Sequence, residues 1–181
     1  MEENKKKTFP WLTEGYKMVA LVGFHNLTVE KLAKTVGKSK SSFYHHFVDL
    51  EIFINRLCEY HIERVKIIAV EESKCKNINP ELIEYLVTIK IDLLFHKQLK
   101  IHSENPLFKK CIQKTTSIIE DVFVEVWNKE MEFNTSLILA KKTLGFSLDN
   151  FFLQINPNTI HKKWLRDYLT NLKSMFNSLS K

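Results

Sequence analysis

From Thr28 the apolar positions run Val29, Leu32, Ala33 and Val36, the three-and-four spacing of one helical face, with Thr28 itself a good N-cap residue. The pattern predicts a short helix over 28–36. Gly37 follows the last apolar position, where a residue without a β-carbon can adopt the left-handed conformation and turn the chain. Ser39 can cap a second helix in which Phe43 and Phe47, four apart, face inward, so that Lys40, Ser41, Tyr44 and His45 lie on the other faces of the same short rod. Upstream, Pro10 fits a first helical turn, and the run 11–22 carries Leu12, Tyr16, Val19 and Ala20 before Gly23 closes it. Gly15, inside that run, should cost about 1 kcal/mol relative to alanine. Phe24 is placed to pack under the junction and fix the entry of the second helix.

Beyond Asp49 the pattern lengthens. Asp49 can cap a helix running to about Cys75, with Ile52, Phe53, Leu57 and Tyr60 on apolar sides and Arg56 and Arg64 on charged ones. Asn79-Pro80 ends it, and 81–100 reads as one apolar helix through Leu82, Leu86, Ile89, Leu93 and Phe95. Asn105-Pro106 makes the next break, followed by a helix over 106–130 containing Phe108, Ile112, Ile119, Phe123 and Trp127. Asn134 or Thr135 caps a further helix to Ile155, and the last starts near Asn158, after Pro157, and runs to about Leu179. The expected fold is all-α, without repeats. Two helices cornered at a glycine, with lysines and hydroxyls facing outward, have the layout of a helix-turn-helix DNA reader, braced by the helix before them.

Composition narrows the partners. The 44% hydrophobic content allows a proper core, and only four glycines and four prolines leave few turns for strands. A net charge of +6 implies attraction to polyanions, either nucleic acid or an anionic membrane surface. Residues 31–46 carry four lysines (Lys31, Lys34, Lys38, Lys40) and no acids, an electrostatic footprint for a phosphate backbone. Lys5-Lys6-Lys7 reads either as a basic arm on DNA or as a solvated tail. No apolar stretch approaches the ~20 residues of a membrane span, and the lysine-rich start lacks the apolar core of a signal peptide, so the expected location is cytoplasmic, with no membrane partner. Cys58, Cys75 and Cys111 are odd in number and unpatterned, against a disulfide framework. Cys58 and His61 have a metal-pair spacing, but no second pair completes a tetrahedral set, and neither a metal nor a cofactor is expected. No nucleophile elbow or phosphate-cradling glycine loop is present, which argues against an enzyme.

Gly23-Phe24, Thr28-Val29, Leu32-Ala33, Gly37, Ser39 and the closing Phe43-Tyr44-His45-His46-Phe47 together resemble the TetR family of bacterial transcription regulators, densely over residues 10 to 50. The resemblance implies a helix-turn-helix DNA-binding domain (1–48) joined by a long fourth helix to a helical dimerisation and effector-binding domain (49–181). It implies that Lys40 and Ser41 touch base edges, that Thr28, Tyr44 and His46 touch phosphates, and that Ser39 and His45 do either, with Lys38 beside them. The chemistry agrees: lysine donates to guanine O6 and N7, while hydroxyls suit phosphate oxygens. The chain departs from the family where Val48-Asp49-Leu50-Glu51 replaces a lysine common at the start of the fourth helix, and where Glu30 faces out in place of a base-reading arginine.

In the helix ending at Ile155, Leu137, Ala140, Leu144, Leu148, Phe151 and Ile155 form one apolar stripe and Leu139, Phe146 and Leu153 another. A single core does not easily use both. With Trp164, Tyr168 and Leu172 of the last helix, Leu137, Leu144, Leu148 and Phe151 are the expected homodimer contacts, and a twofold four-helix bundle would set two reader helices roughly 34 Å apart. Phe95, His96, Phe123 and Trp127 are candidate lining for a small apolar effector. The expected function is a homodimeric repressor on a pseudo-palindromic operator in double-stranded DNA. The alternative is a helical dimeric protein that acts at a membrane or on protein partners, with weakened DNA binding.

Overall fold

A computed structural model describes residues 2–130 and 136–179, and every regular element among them is helical. The helices are α1 (Glu2–Val22), α2 (Val29–Val36), α3 (Lys40–Phe47), α4 (Leu50–Glu72), α5 (Ile83–Thr88), α6 (Lys90–Ile101), α7 (Pro106–Glu130), α8 (Leu137–Gln154) and α9 (Lys162–Leu179). The chain divides into two compact units. The first takes Met1–Arg64 with Ile91–Ile112, and the second takes Val65–Lys90 with Gln113–Lys181.

Aromatic packing builds the core of the first unit. Trp11 is fully buried and meets Phe43 and Phe47 edge-on at 5.5 and 6.5 Å, while Phe53 of α4 meets the same two rings at 5.3 and 4.8 Å. One ring cluster therefore ties α1, α3 and the start of α4 together. Gly15 gains its reason here, since a β-carbon at this position would stand 2.5 Å from the Phe53 ring. The propensity cost expected from sequence is the cost of letting α4 approach α1.

Beside the rings runs a buried polar chain. Arg64 donates from Nε and Nη2 to the two Asp92 oxygens at 2.9 and 2.8 Å. Tyr16 Oη lies 3.1 Å from Asp92 Oδ1 and 2.6 Å from His61 Nδ1, and His61 Nε2 lies 3.1 Å from His96 Nδ1. Burial holds both imidazoles below their ordinary pKa, His61 at about 3, so both are neutral. The chain links α1, α4 and α6 of the first unit. Cys58 and Cys111, both buried, are also here, with Cys111 Sγ donating to the Cys58 carbonyl.

In the second unit α8 buries Ala140, Leu144, Ser147 and Phe151, and Trp127, Leu165 and Leu172 are buried as well. Tyr168 of α9 donates its hydroxyl to the Ser147 carbonyl at 3.0 Å, and Lys162 pairs with Glu84 at 2.6 Å. At the end of α4, the Glu72 carboxyl is buried, with its Oε2 lacking a hydrogen-bond partner, and desolvation raises its pKa to about 7.

Several helix ends differ from the sequence expectation. Pro10 lies inside α1, which begins at Glu2 instead of near Trp11, so Lys6 and Lys7 sit on a helix and not on an extended arm. The apolar run 81–100 breaks at Ile89 (φ −96°, ψ 22°) into α5 and α6. The last helix begins at Lys162, not near Asn158, because Asn156 Oδ1 accepts from the Asn158 and Thr159 amides and holds that segment in a turn. Asn134 and Thr135, the expected caps of α8, lie outside the described residues, and Ser136 caps it through the Leu139 amide.

Two outcomes follow for stability. Arg64→Ala strands the Asp92 carboxylate, whose side chain is 6% exposed; the cost should be about 2–3 kcal/mol in urea unfolding, less than for a fully buried pair because Arg64 is about one-third exposed. For Glu72, the folded pKa near 7 exceeds the ordinary 4.5, so folding favours the protonated form and stability falls as pH rises through that interval. Glu72→Gln should match wild type near pH 4.5 and exceed it by up to about 3 kcal/mol at pH 8; parallel stability curves would contradict the burial.

Candidate nucleic-acid interface

The local chemistry of 28–47 sets the reader geometry. Thr28 (φ −125°, ψ 151°) accepts the Lys31 amide on its hydroxyl at 3.3 Å and so starts α2. Gly37 ends it in the left-handed region (φ 71°), with its amide bonded to the Lys34 carbonyl and the Lys38 amide to the Ala33 carbonyl. Ser39 accepts the Ser42 amide at 3.1 Å and starts α3. Phe43 and Phe47 are buried as the periodicity predicts. Phe24 turns instead toward α6 and α7, stacking on Phe108 at 4.4 Å and meeting Phe95 edge-on at 5.8 Å.

The outward face of α3 then follows. Lys38, Ser39, Lys40, Ser41, Tyr44 and His45 are exposed, and Thr28 and His46 are half-buried. Tyr44 is 51% exposed although its ring edge touches Phe43. His46 is pushed below its ordinary pKa first by partial burial and then by His45, Lys38 and Lys7. Lys7 of α1 is thus near enough to add its charge to this surface. Lys40 is not unengaged: its Nζ contacts Glu30 Oε1 at 3.0 Å, a partner that the reading of α3 alone missed. Glu30 lies below and Lys40 above its ordinary pKa, each chiefly because of this hydrogen bond. The acid stands ten residues before the lysine, and its outward position on α2 was the available signal.

Between α3 and α4 the chain turns in one residue. Val48 has φ 63° and ψ −58°, and the Asp49 amide bonds back to the Phe47 carbonyl at 2.6 Å, a γ-turn of the strained kind. Asp49 Oδ1 then accepts the Ile52 amide at 2.7 Å and starts α4.

The other expected sites divide. Leu144, Phe151 and Leu172 are buried, at 1%, 8% and 7% exposure. Leu148, Trp164 and Tyr168 are half-buried, and Leu137 is exposed. The second stripe of α8 is the outward one, with Leu139, Phe146 and Leu153 all exposed; Ile138, outside either stripe, is exposed too. Phe146, Trp164, Tyr168 and Met175 line a concavity of about 550 Å³ along α8 and α9. Of the expected effector residues, Phe95 and His96 belong to the first unit, where His96 is engaged with His61; Phe123 and Trp127 belong to the second, with ring centroids 6.2 Å apart. Cys58 and His61, weighed as a metal pair, are engaged in the thiol contact and the polar chain, and no metal-holding cluster occurs among the described residues. No described helix is long and apolar enough to cross a membrane.

A capped pair of short helices, cornered at a left-handed glycine and carrying an exposed basic and hydroxyl face, defines a helix-turn-helix DNA-binding domain. Residues 12–51 match the model of the bacterial regulatory proteins of the tetR family. The chain shares its fold with solved regulators. One, assigned as a transcriptional regulator from Saccharomonospora viridis and solved in complex with choline, is similar at a TM-score of 0.72 and 13% identity, over 94% of this chain and 95% of that one. A TetR-family protein from a Rhodococcus species aligns at 0.62 and 16% identity, over 98% of each chain. A transcriptional regulator from Aquifex aeolicus VF5 aligns at 0.62 and 20% identity, over 96% of this chain and 99% of that one. No curated protein matches the sequence.

Proposed function

We propose that the protein is a homodimeric transcriptional repressor that binds a pseudo-palindromic operator through α3 and is released by a small effector. The observation that carries the reading is the exposed face of α3, with Lys40, Ser41 and Tyr44 outward over a buried Phe43 and Phe47. In this reading Lys40 and Ser41 meet base edges, Thr28, Tyr44 and His46 meet phosphates, and Ser39, Lys38 and His45 complete the contact. Residues 1–48 form the DNA-binding domain and 49–181 the dimerisation and effector domain.

For the dimer, the uncovered stripe of Leu139, Phe146 and Leu153 on α8, with the half-buried Trp164 and Tyr168 of α9, supplies the apolar surface that a twofold mate would bury. Leu144, Phe151 and Leu172, already buried in the single chain, would back that surface from beneath. Choline in the S. viridis regulator supports a small-molecule effector for this fold. Effector binding would favour a conformation with altered reader spacing and so lower operator affinity by population shift.

Lys40→Ala should relax preference at one base position, with a loss of about 5- to 150-fold at that site, whereas Tyr44→Phe should weaken all duplexes by a similar factor, as read by binding to selected and mixed-sequence DNA. Wild-type affinity and selectivity in both variants would refute the assigned face. Vesicle binding that outcompetes duplex DNA would favour the membrane alternative. For the dimer, Phe146→Glu with Leu153→Glu should give monomers in sedimentation equilibrium while keeping wild-type helicity; an unchanged association state would exclude this stripe.

A further inference from the structure

Lys40 and Glu30 form a cross-helix ion pair on the exposed reader surface, joining α2 to α3 across the corner at Gly37. Both side chains are more than half exposed, at 56% and 66%, so neither is held there by burial. A lysine has a flexible four-carbon stem and an ammonium with no fixed direction, which makes it a poor reader unless something aims it. The Glu30 carboxylate contacts Lys40 Nζ at 3.0 Å and draws the ammonium to the α2 side of α3. The same carboxylate changes what the surface accepts. It repels phosphate oxygens and the O6/N7 edge of guanine, but it takes a hydrogen bond from the amino group of cytosine N4.

In the major groove, guanine O6 and cytosine N4 lie side by side within one base pair, an acceptor next to a donor. An ammonium and a carboxylate 3.0 Å apart form the complementary donor and acceptor. We infer that Glu30 is a specificity-determining residue: with Lys40 it reads a G·C pair as a unit, Lys40 on the guanine O6/N7 edge and Glu30 on the cytosine N4 amino group. This rests on the reading of α3 as the DNA-contacting face and deepens it. The same residue lowers affinity for DNA in general, because it offsets one cation in a region whose other charges, Lys31, Lys34 and Lys38, are all positive. Glu30 thereby exchanges nonspecific attraction for discrimination.

The test is selection from a randomised duplex pool by the full-length wild-type chain and its Glu30→Ala, Glu30→Gln and Lys40→Ala variants, with binding to mixed-sequence duplex measured across salt. Helicity and unfolding midpoints confirm that the exposed substitutions leave the fold intact. Wild type should select a motif with one strongly preferred G·C pair per half-site. Glu30→Ala should lose the preference at that pair by about five-fold or more, while binding mixed-sequence duplex more tightly and with a steeper salt dependence. Glu30→Gln should move the preference toward adenine, whose N6 and N7 suit an amide. Lys40→Ala should affect the same pair and no other. Wild type and both Glu30 variants selecting one motif with equal weights would overturn the role of Glu30 and leave DNA reading by α3 standing. Failure of wild type to select any motif would overturn the proposed function itself, and this inference with it.

Discussion

The Arg64–Asp92 ion pair and the hydrogen bonds that run from it have only one self-consistent proton arrangement. Asp92 takes donors from Arg64 on both of its oxygens, and the Tyr16 hydroxyl donates its single proton to Asp92 Oδ1. His61 Nδ1 then carries hydrogen and donates to the tyrosine oxygen, which leaves Nε2 as an acceptor for His96 Nδ1–H. Each bond sets the sense of the next, and burial keeps both rings neutral so that the sequence is not broken by a second proton. Partly satisfied buried polar groups are costly, whereas a complete chain fixes one packing of its helices. Here the helices fixed are α1, α4 and α6 of the first unit, and α1 and α4 are the two that share the ring cluster under α3.

Against that frame, the reader helices are specified almost entirely by near neighbours. The Thr28, Ser39 and Asp49 caps each satisfy an amide three residues on, and Gly37 closes α2 with bonds to Ala33 and Lys34. An eight-residue helix such as α3 is too short to hold itself in water. Its permanence comes from Phe43 and Phe47, which hold the rod by its inner side and free the outer side for polar chemistry.

The same distinction explains what could be read from sequence. Caps, the corner glycine and the inward phenylalanines depend on residues within a few positions, so three-and-four spacing located them. The polar chain depends on partners 28 to 76 residues apart, and none of its members looks unusual in a local window. One trace was present: Asp92 interrupts the apolar run from Ile91 to Phe95, where an acid needs a buried partner. On α8 the presence of two apolar stripes was legible, but which one the core would claim was not, since helical periodicity is indifferent to what lies opposite. Pro10 misled for a related reason, because a residue suited to a first turn is also tolerated within α1 when packing at Trp11 and Tyr16 holds the helix.

Val48 has a mechanical meaning. A β-branched residue at φ 63° sits in a narrow conformational well with steep walls, whereas a glycine there would let the chain swivel. With a single such residue between Phe47 and the Asp49 cap, α3 and the first turns of α4 are joined by a stiff torsional coupling with almost no slack. A change in the direction of that part of α4 would have to be absorbed at Val48 against those walls or be passed on to α3.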